Sequence, residues 1–89
     1  MPPLKVTIVS GGLPELDVPK GVFDGYDYWV ATNGGAEVAG TFSTTRKHVH
    51  QMTLPAAGAS VLLTFRVQYR YKGESFGQKS APISVTVHG

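Results

Sequence analysis

From Val61 to Lys72 the chain alternates without a break: Val61, Leu63, Phe65, Val67, Tyr69 and Tyr71 are apolar or aromatic, and Leu62, Thr64, Arg66, Gln68, Arg70 and Lys72 fill the places between. A period of two marks a strand, and an apolar side opposite a mostly polar one makes it half buried. Its register is fixed, because a slip by one residue would carry Arg66 and Arg70 into the core. Gly73-Glu74-Ser75-Phe76-Gly77 follows, with two glycines suited to positive φ, and Ile83, Val85 and Val87 then resume the alternation against Ser84, Thr86 and His88. The stretch 61–87 therefore predicts an antiparallel hairpin around which the rest of the chain is organised.

The segments before it are less regular. Leu4, Val6 and Ile8 predict a first strand that ends at Ser10-Gly11-Gly12, with Pro2 and Pro3 at an edge or strand entry where a missing N–H costs nothing. Leu13, Leu16, Val18, Val22 and Phe23 offer core material, but Pro14, Pro19, Gly21 and Gly25 interrupt them, which predicts a short or irregular edge strand and then a loop. Tyr26, Tyr28 and Val30 fall on one face of a strand over 26–32, with Asp27, Trp29 and Ala31 on the other. Asn33-Gly34-Gly35 is a strong turn signal into a returning strand over 36–43, in which Gly40 marks a bulge or a close backbone approach. Residues 46–54 predict a mixed strand whose apolar members are Val49, Met52 and Leu54, and 55–59 cross over to the central strand.

No segment carries a 3.6-residue apolar stripe. The chain is expected to be all-β, an antiparallel two-sheet β-sandwich. Eighty-nine residues allow one domain, 1–89, and a hydrophobic fraction of 42% can fill its core. The expected core is Val6, Ile8, Val30, Leu54, Leu63, Phe65, Val67, Tyr69, Val85 and Val87. There is no cysteine, so neither a disulfide, a thiol nucleophile nor a cysteine zinc site is available. No apolar run approaches the roughly 20 residues of a membrane helix, and a net charge of +2 is too slight to argue for nucleic acid. Neither membrane nor nucleic acid is expected as a partner. A chain that passes from Met1 into a strand without a leader pattern is read as a small intracellular or virion protein, or as a domain cut from a longer chain.

The region from about Tyr26 to Val87 resembles a fibronectin type III or related immunoglobulin-like domain. The echoes are Leu54-Pro55 closing the fifth strand, the alternating Phe65-x-Val67-x-Tyr69-x-Tyr71, the glycines at 73 and 77, and Ser80-Ala81-Pro82 leading into the last strand. No tryptophan stands on the second strand, and Gly58-Ala59-Ser60 occupies the place of the family's corner tyrosine. The resemblance implies a non-enzymatic structural or interaction module. At this length it is similar to immunoglobulin-like proteins that decorate bacteriophage capsids or tails, which would place the chain on the virion with a capsid or tail protein as partner. The alternative it implies is a fibronectin-type spacer or a carbohydrate-binding domain, extracellular within a longer secreted bacterial enzyme or adhesin and in contact with surface glycans.

Chemistry-bearing constellations are sparse. His48-x-His50 puts two imidazoles on one strand face without a third ligand, and surface histidines are the expected outcome. Glu15, Asp17, Asp24 and Asp27 are rich in oxygens but match no calcium loop, so solvated turn acids are expected. No serine has a nucleophile context and no glycine loop cradles phosphate, so neither catalysis, a metal nor a cofactor is expected. Tyr26, Tyr28, Tyr69 and Tyr71 are assigned mainly to packing. The binding candidates are Trp29, on the face opposite Tyr26 and Tyr28; Arg66 and Arg70, joined by Lys79 across the hairpin; and Phe76, a large aromatic in a glycine loop. They are expected on the loops at one end of the sandwich and the sheet face beside them.

Overall fold

A computed structural model describes residues 3–9, 11–19 and 21–89; the expectations for Pro2 and Ser10 lie outside the described residues. Among those described the chain is all strand and loop: β1 (Lys5–Ile8), β2 (Pro14–Asp17), β3 (Gly25–Thr32), β4 (Val38–Ala39), β5 (Lys47–Val49), β6 (Ser60–Tyr71), β7 (Glu74–Phe76) and β8 (Ile83–His88). They form two antiparallel sheets. The short sheet has the order β1-β2-β5, and the long sheet has the order β4-β3-β6-β7 with β8 also paired to β6.

β6 is the axis of the molecule. At about 3.4 Å per residue its twelve residues span roughly 40 Å, close to the full 43 Å length of the chain. One flank pairs with β3 from Gly25↔Arg70 to Thr32↔Leu63. The other flank is shared, β7 taking Tyr69 to Tyr71 and β8 taking Ser60 to Phe65. The β6–β7 turn is Lys72-Gly73, both with positive φ (51° and 79°), the geometry whose twist suits a two-residue hairpin.

Between β7 and β8 the ladder lapses, and Ser80 replaces it. The Val67 N–H donates to Ser80 Oγ at 2.9 Å, and the Ser80 N–H donates to the Val67 carbonyl at 2.7 Å. Both residues are buried, so these bonds satisfy backbone groups that water does not reach.

The core lies between the sheets and consists of Leu16, Val18, Tyr26, Tyr28, Leu63, Phe65, Val67 and Val87, with Val6, Val30, Tyr69 and Val85 packed partly buried against it. Two expected members are not there. Ile8 is 45% exposed and Leu54 39% exposed. Ile8 ends β1 at the rim, and β5 stops at Val49, so Leu54 lies on an irregular segment beyond the ladder instead of on a strand over 46–54. Their places are taken by Tyr26 and Tyr28, whose hydroxyls reach the Arg46 carbonyl (3.3 Å) and His50 Nδ1 (2.9 Å). A buried tyrosine with such a partner contributes its ring to the core without stranding its hydroxyl.

The segment around Leu16 is also not an edge. β2 is the middle strand of the short sheet, paired with β1 and β5. Pro14 opens the strand and Pro19 follows its end, so neither removes an interior ladder bond. The Asn33-Gly34 turn forms with positive φ at both residues, but the returning strand keeps only Val38 and Ala39. Gly40 answers to the close-approach expectation, since a Cβ there would fall into the Tyr28 ring.

Candidate functional site

On the inner face of β6 burial is essentially complete from Leu63 through Phe65 to Val67, then fades to a half-buried Tyr69 and an exposed Tyr71. The short sheet, with strands of four, four and three residues, covers the middle of that face and not this end. The hairpin register sets Phe76 opposite Tyr69, on the same side, and leaves it 50% exposed. Phe23, from the loop between β2 and β3, stacks on Tyr69 with ring centroids 4.1 Å apart and planes 12° from parallel. Its centroid lies 5.2 Å from that of Phe76 and 6.0 Å from that of Tyr71, and Tyr71 and Phe76 are 5.9 Å apart. The Tyr69 hydroxyl donates to the Pro19 carbonyl and ties the loop down. Burial raises the Tyr69 pKa, which keeps that hydroxyl protonated and able to donate. Val22, beside Phe23, is 82% exposed. Four rings thus form a preorganised apolar surface at one end of the sandwich.

The outer face of the long sheet carries the other three candidates, and there the chain supplies their partners. Trp29 lies opposite Arg66 in the ladder, and Lys79 Nζ sits 4.0 Å from the Trp29 ring centroid. Glu37 bridges the two cations, at 3.6 Å from Arg66 and 3.5 Å from Lys79. Arg70 Nη2 donates to both Asp27 oxygens at 3.0 Å, and its guanidinium lies 4.5 Å over the Phe42 ring. Gly25 makes this possible: it lies opposite Arg70, and a Cβ there would collide with the Ser43 carbonyl and the Phe42 ring. The expected single surface does not form. Phe76 belongs to the aromatic end of the inner face, while Trp29, Arg66 and Arg70 belong to a charge-paired outer ladder.

The histidines correct a second expectation. His48 pairs with Leu16 in register and faces inward with it, and neither His48 nor His50 is a fully exposed surface residue. Burial, and next the charge of His48, lower the His50 pKa, while burial raises that of Tyr28. Both shifts favour the neutral forms, which share a hydrogen bond between the Tyr28 hydroxyl and His50 Nδ1 at 2.9 Å. The acids have separate employments: Asp17 accepts from Arg46 at 2.7 Å, Asp27 from Arg70, and Asp24 from the Gly73 N–H at 3.0 Å. Among the described residues no three His, Cys, Asp or Glu side chains gather as a metal site.

The partners of Phe76 were within partial reach of the sequence. Tyr69 and Tyr71 lie on one side of the alternation, and a turn placed at Lys72-Gly73 puts Phe76 beside Tyr69. Nothing in the order of residues announces that Phe23 closes the cluster from fifty residues away. Set against protein-family models, curated proteins and solved structures, the chain matches none.

Proposed function

We propose that this chain is a non-catalytic interaction module of the fibronectin type III or immunoglobulin-like kind, a decoration protein of a bacteriophage capsid or tail that meets its protein partner through the aromatic end. The observation that carries the interaction is the Phe23–Tyr69–Tyr71–Phe76 cluster, exposed at Tyr71 and Phe76 at the end of a sheet face whose middle is covered. Rings already packed on one another lose little conformational freedom when a partner covers them, and aromatic anchors of this kind concentrate binding energy. The sandwich type has its own support. First, second and fifth strands share one sheet, and third, sixth and last share the other, the division that immunoglobulin-like sandwiches use.

The setting is tested on particles. Purified phage particles from which the encoding gene has been deleted take up added protein saturably in co-sedimentation. Absence of uptake removes the virion setting and leaves the module. A second reading, a fibronectin-type or carbohydrate-binding domain of a secreted chain, draws on the exposed Tyr71 and Phe76 rings, which also suit stacking against a sugar. Saturable binding to a polysaccharide, with none to particles, decides for it.

A further inference from the structure

The short sheet has an outer face that neither the core nor the aromatic end uses. Lys5, Asp17 and Lys47 occupy one rung across β1, β2 and β5, since Lys5 pairs with Asp17 and Asp17 with Lys47. Neighbouring strands lie about 4.8 Å apart, so the two lysines flank the carboxylate. Arg46, next to Lys47, donates its Nε–H to Asp17 Oδ1 at 2.7 Å, and its terminal nitrogens have no hydrogen-bond partner among the described residues. Neither lysine is in an ion pair among the described residues. Three cations around one carboxylate leave two positive charges in excess on this rung; Glu15, two residues along on the same face, is the next acid and does not line the cleft beside the rung.

The rung opens on a cleft of about 140 Å³ lined by Pro3, Lys5, Asp17, Pro19 and Arg46. Cation and cleft coincide, with two pyrrolidine rings in the walls. We infer that this cleft binds a phosphoryl group, with the free nitrogens of Arg46 and the ammonium group of Lys5 as donors, Lys47 adding positive potential from the neighbouring strand, and Asp17 as the residue that holds the guanidinium in place.

Asp17 reports the local potential. The hydrogen bond from Arg46 holds its carboxyl below the usual range, and the charges of Arg46, Lys47 and Lys5 lower it further. With the Asp17 charge itself counted, the rung keeps a net positive charge, and that excess is what attracts a second anion. A phosphate monoester carries about −1.5 to −2 at neutral pH, which balances the local excess where a single carboxylate would not. Arginine suits the role because its planar donors match phosphate oxygens in pairs. The proline walls add apolar surface for a carbon skeleton, so a small sugar phosphate binds more tightly than inorganic phosphate.

The test is an amide chemical-shift titration of the full chain near neutral pH and at constant ionic strength, with inorganic phosphate, glucose 6-phosphate and acetate. Saturable shifts confined to Lys5, Asp17, Arg46, Lys47 and their neighbours are expected with both phosphates. Arg46→Gln weakens binding about tenfold, the loss of charge-assisted hydrogen bonds, and Arg46→Lys recovers part of it. The double variant Lys5→Gln/Lys47→Gln leaves the Asp17–Arg46 pair intact and serves the same purpose if Arg46→Gln fails to fold. Tighter binding of glucose 6-phosphate identifies a phosphorylated small molecule as the source, and equal binding identifies free phosphate. Linear shifts, shifts spread equally to Lys72 and Lys79, acetate binding as tight as phosphate, or unchanged affinity in these variants overturns the inference.

Discussion

The two faces of the long sheet both carry aromatic rings, and they differ in who provides the partners. On the outer face, Glu37 pairs with Arg66 and Lys79 while Lys79 covers the Trp29 ring, and Asp27 and the Phe42 ring engage the Arg70 guanidinium, whose buried Nε has no hydrogen-bond partner among the described residues. At the end of the inner face, Phe23, Tyr69, Tyr71 and Phe76 pack together and still leave apolar surface in water. A side chain on an open sheet face is thus not necessarily available. Availability depends on whether the chain itself has already filled the contact, and for apolar rings it depends on how far the opposing sheet reaches.

The sharpest contrast with the aromatic end is the covered middle of the same face. Phe65 is fully buried among Tyr28, His50 and the rest of the core. Phe65→Ala should cost about 3–5 kcal/mol in denaturant unfolding, through lost burial and the cavity left behind. An unchanged unfolding midpoint would show that this face is not closed by the short sheet. Ser80→Ala comes next. It removes the acceptor of the buried Val67 N–H and should cost about 1–3 kcal/mol. Ser80→Thr, which keeps the hydroxyl, is the comparison that separates the bond from the packing.

Acidification probes the rim of the core. The His50 pKa is lowered in the folded chain, so the unfolded chain binds the proton more readily. The stability this supplies is fully present above the unfolded value of about 6.5 and is lost as pH falls from there through the lower folded value. His50→Gln should flatten that part of the stability–pH curve, and an unchanged slope would remove His50 as its source. The outer ladder gives the smallest effect. Its ion pairs are partly solvated, so Arg66→Gln should shift stability by about 0–1 kcal/mol in thermal melting, and less at high salt.

Alternation is the part of the fold that a sequence displays directly. It made β3, β6 and β8 legible, placed Phe65 and Val67 inward, and set Trp29 opposite Tyr26 and Tyr28. It failed where a strand is too short to show a period. β2 has only four residues, the first of them Pro14, yet it sits in the middle of its sheet because Leu16 and Val18 are buried on one side while ladder bonds run to both neighbours. Leu54 misled for the opposite reason, since an apolar residue near a strand pattern has no core position when the ladder ends at Val49. Of the candidate site, Phe76 was legible as an aromatic without a packing reason. Phe23 was not, because the contact that completes the site joins a loop to a distant hairpin.

The aromatic end, and not the outer ladder, is the contact surface we propose. Its most direct test is to compare Phe76→Ala and Arg66→Gln for binding to gene-deleted phage particles, with thermal melting of each variant alongside. Phe76 is half exposed, so its truncation should cost only about 1 kcal/mol and a few degrees of melting temperature. It should nevertheless weaken binding about tenfold or more, as the loss of an aromatic anchor does, while Arg66→Gln binds as the unaltered chain does. Full binding by Phe76→Ala together with loss of binding by Arg66→Gln would contradict the account and move the contact surface to the ladder.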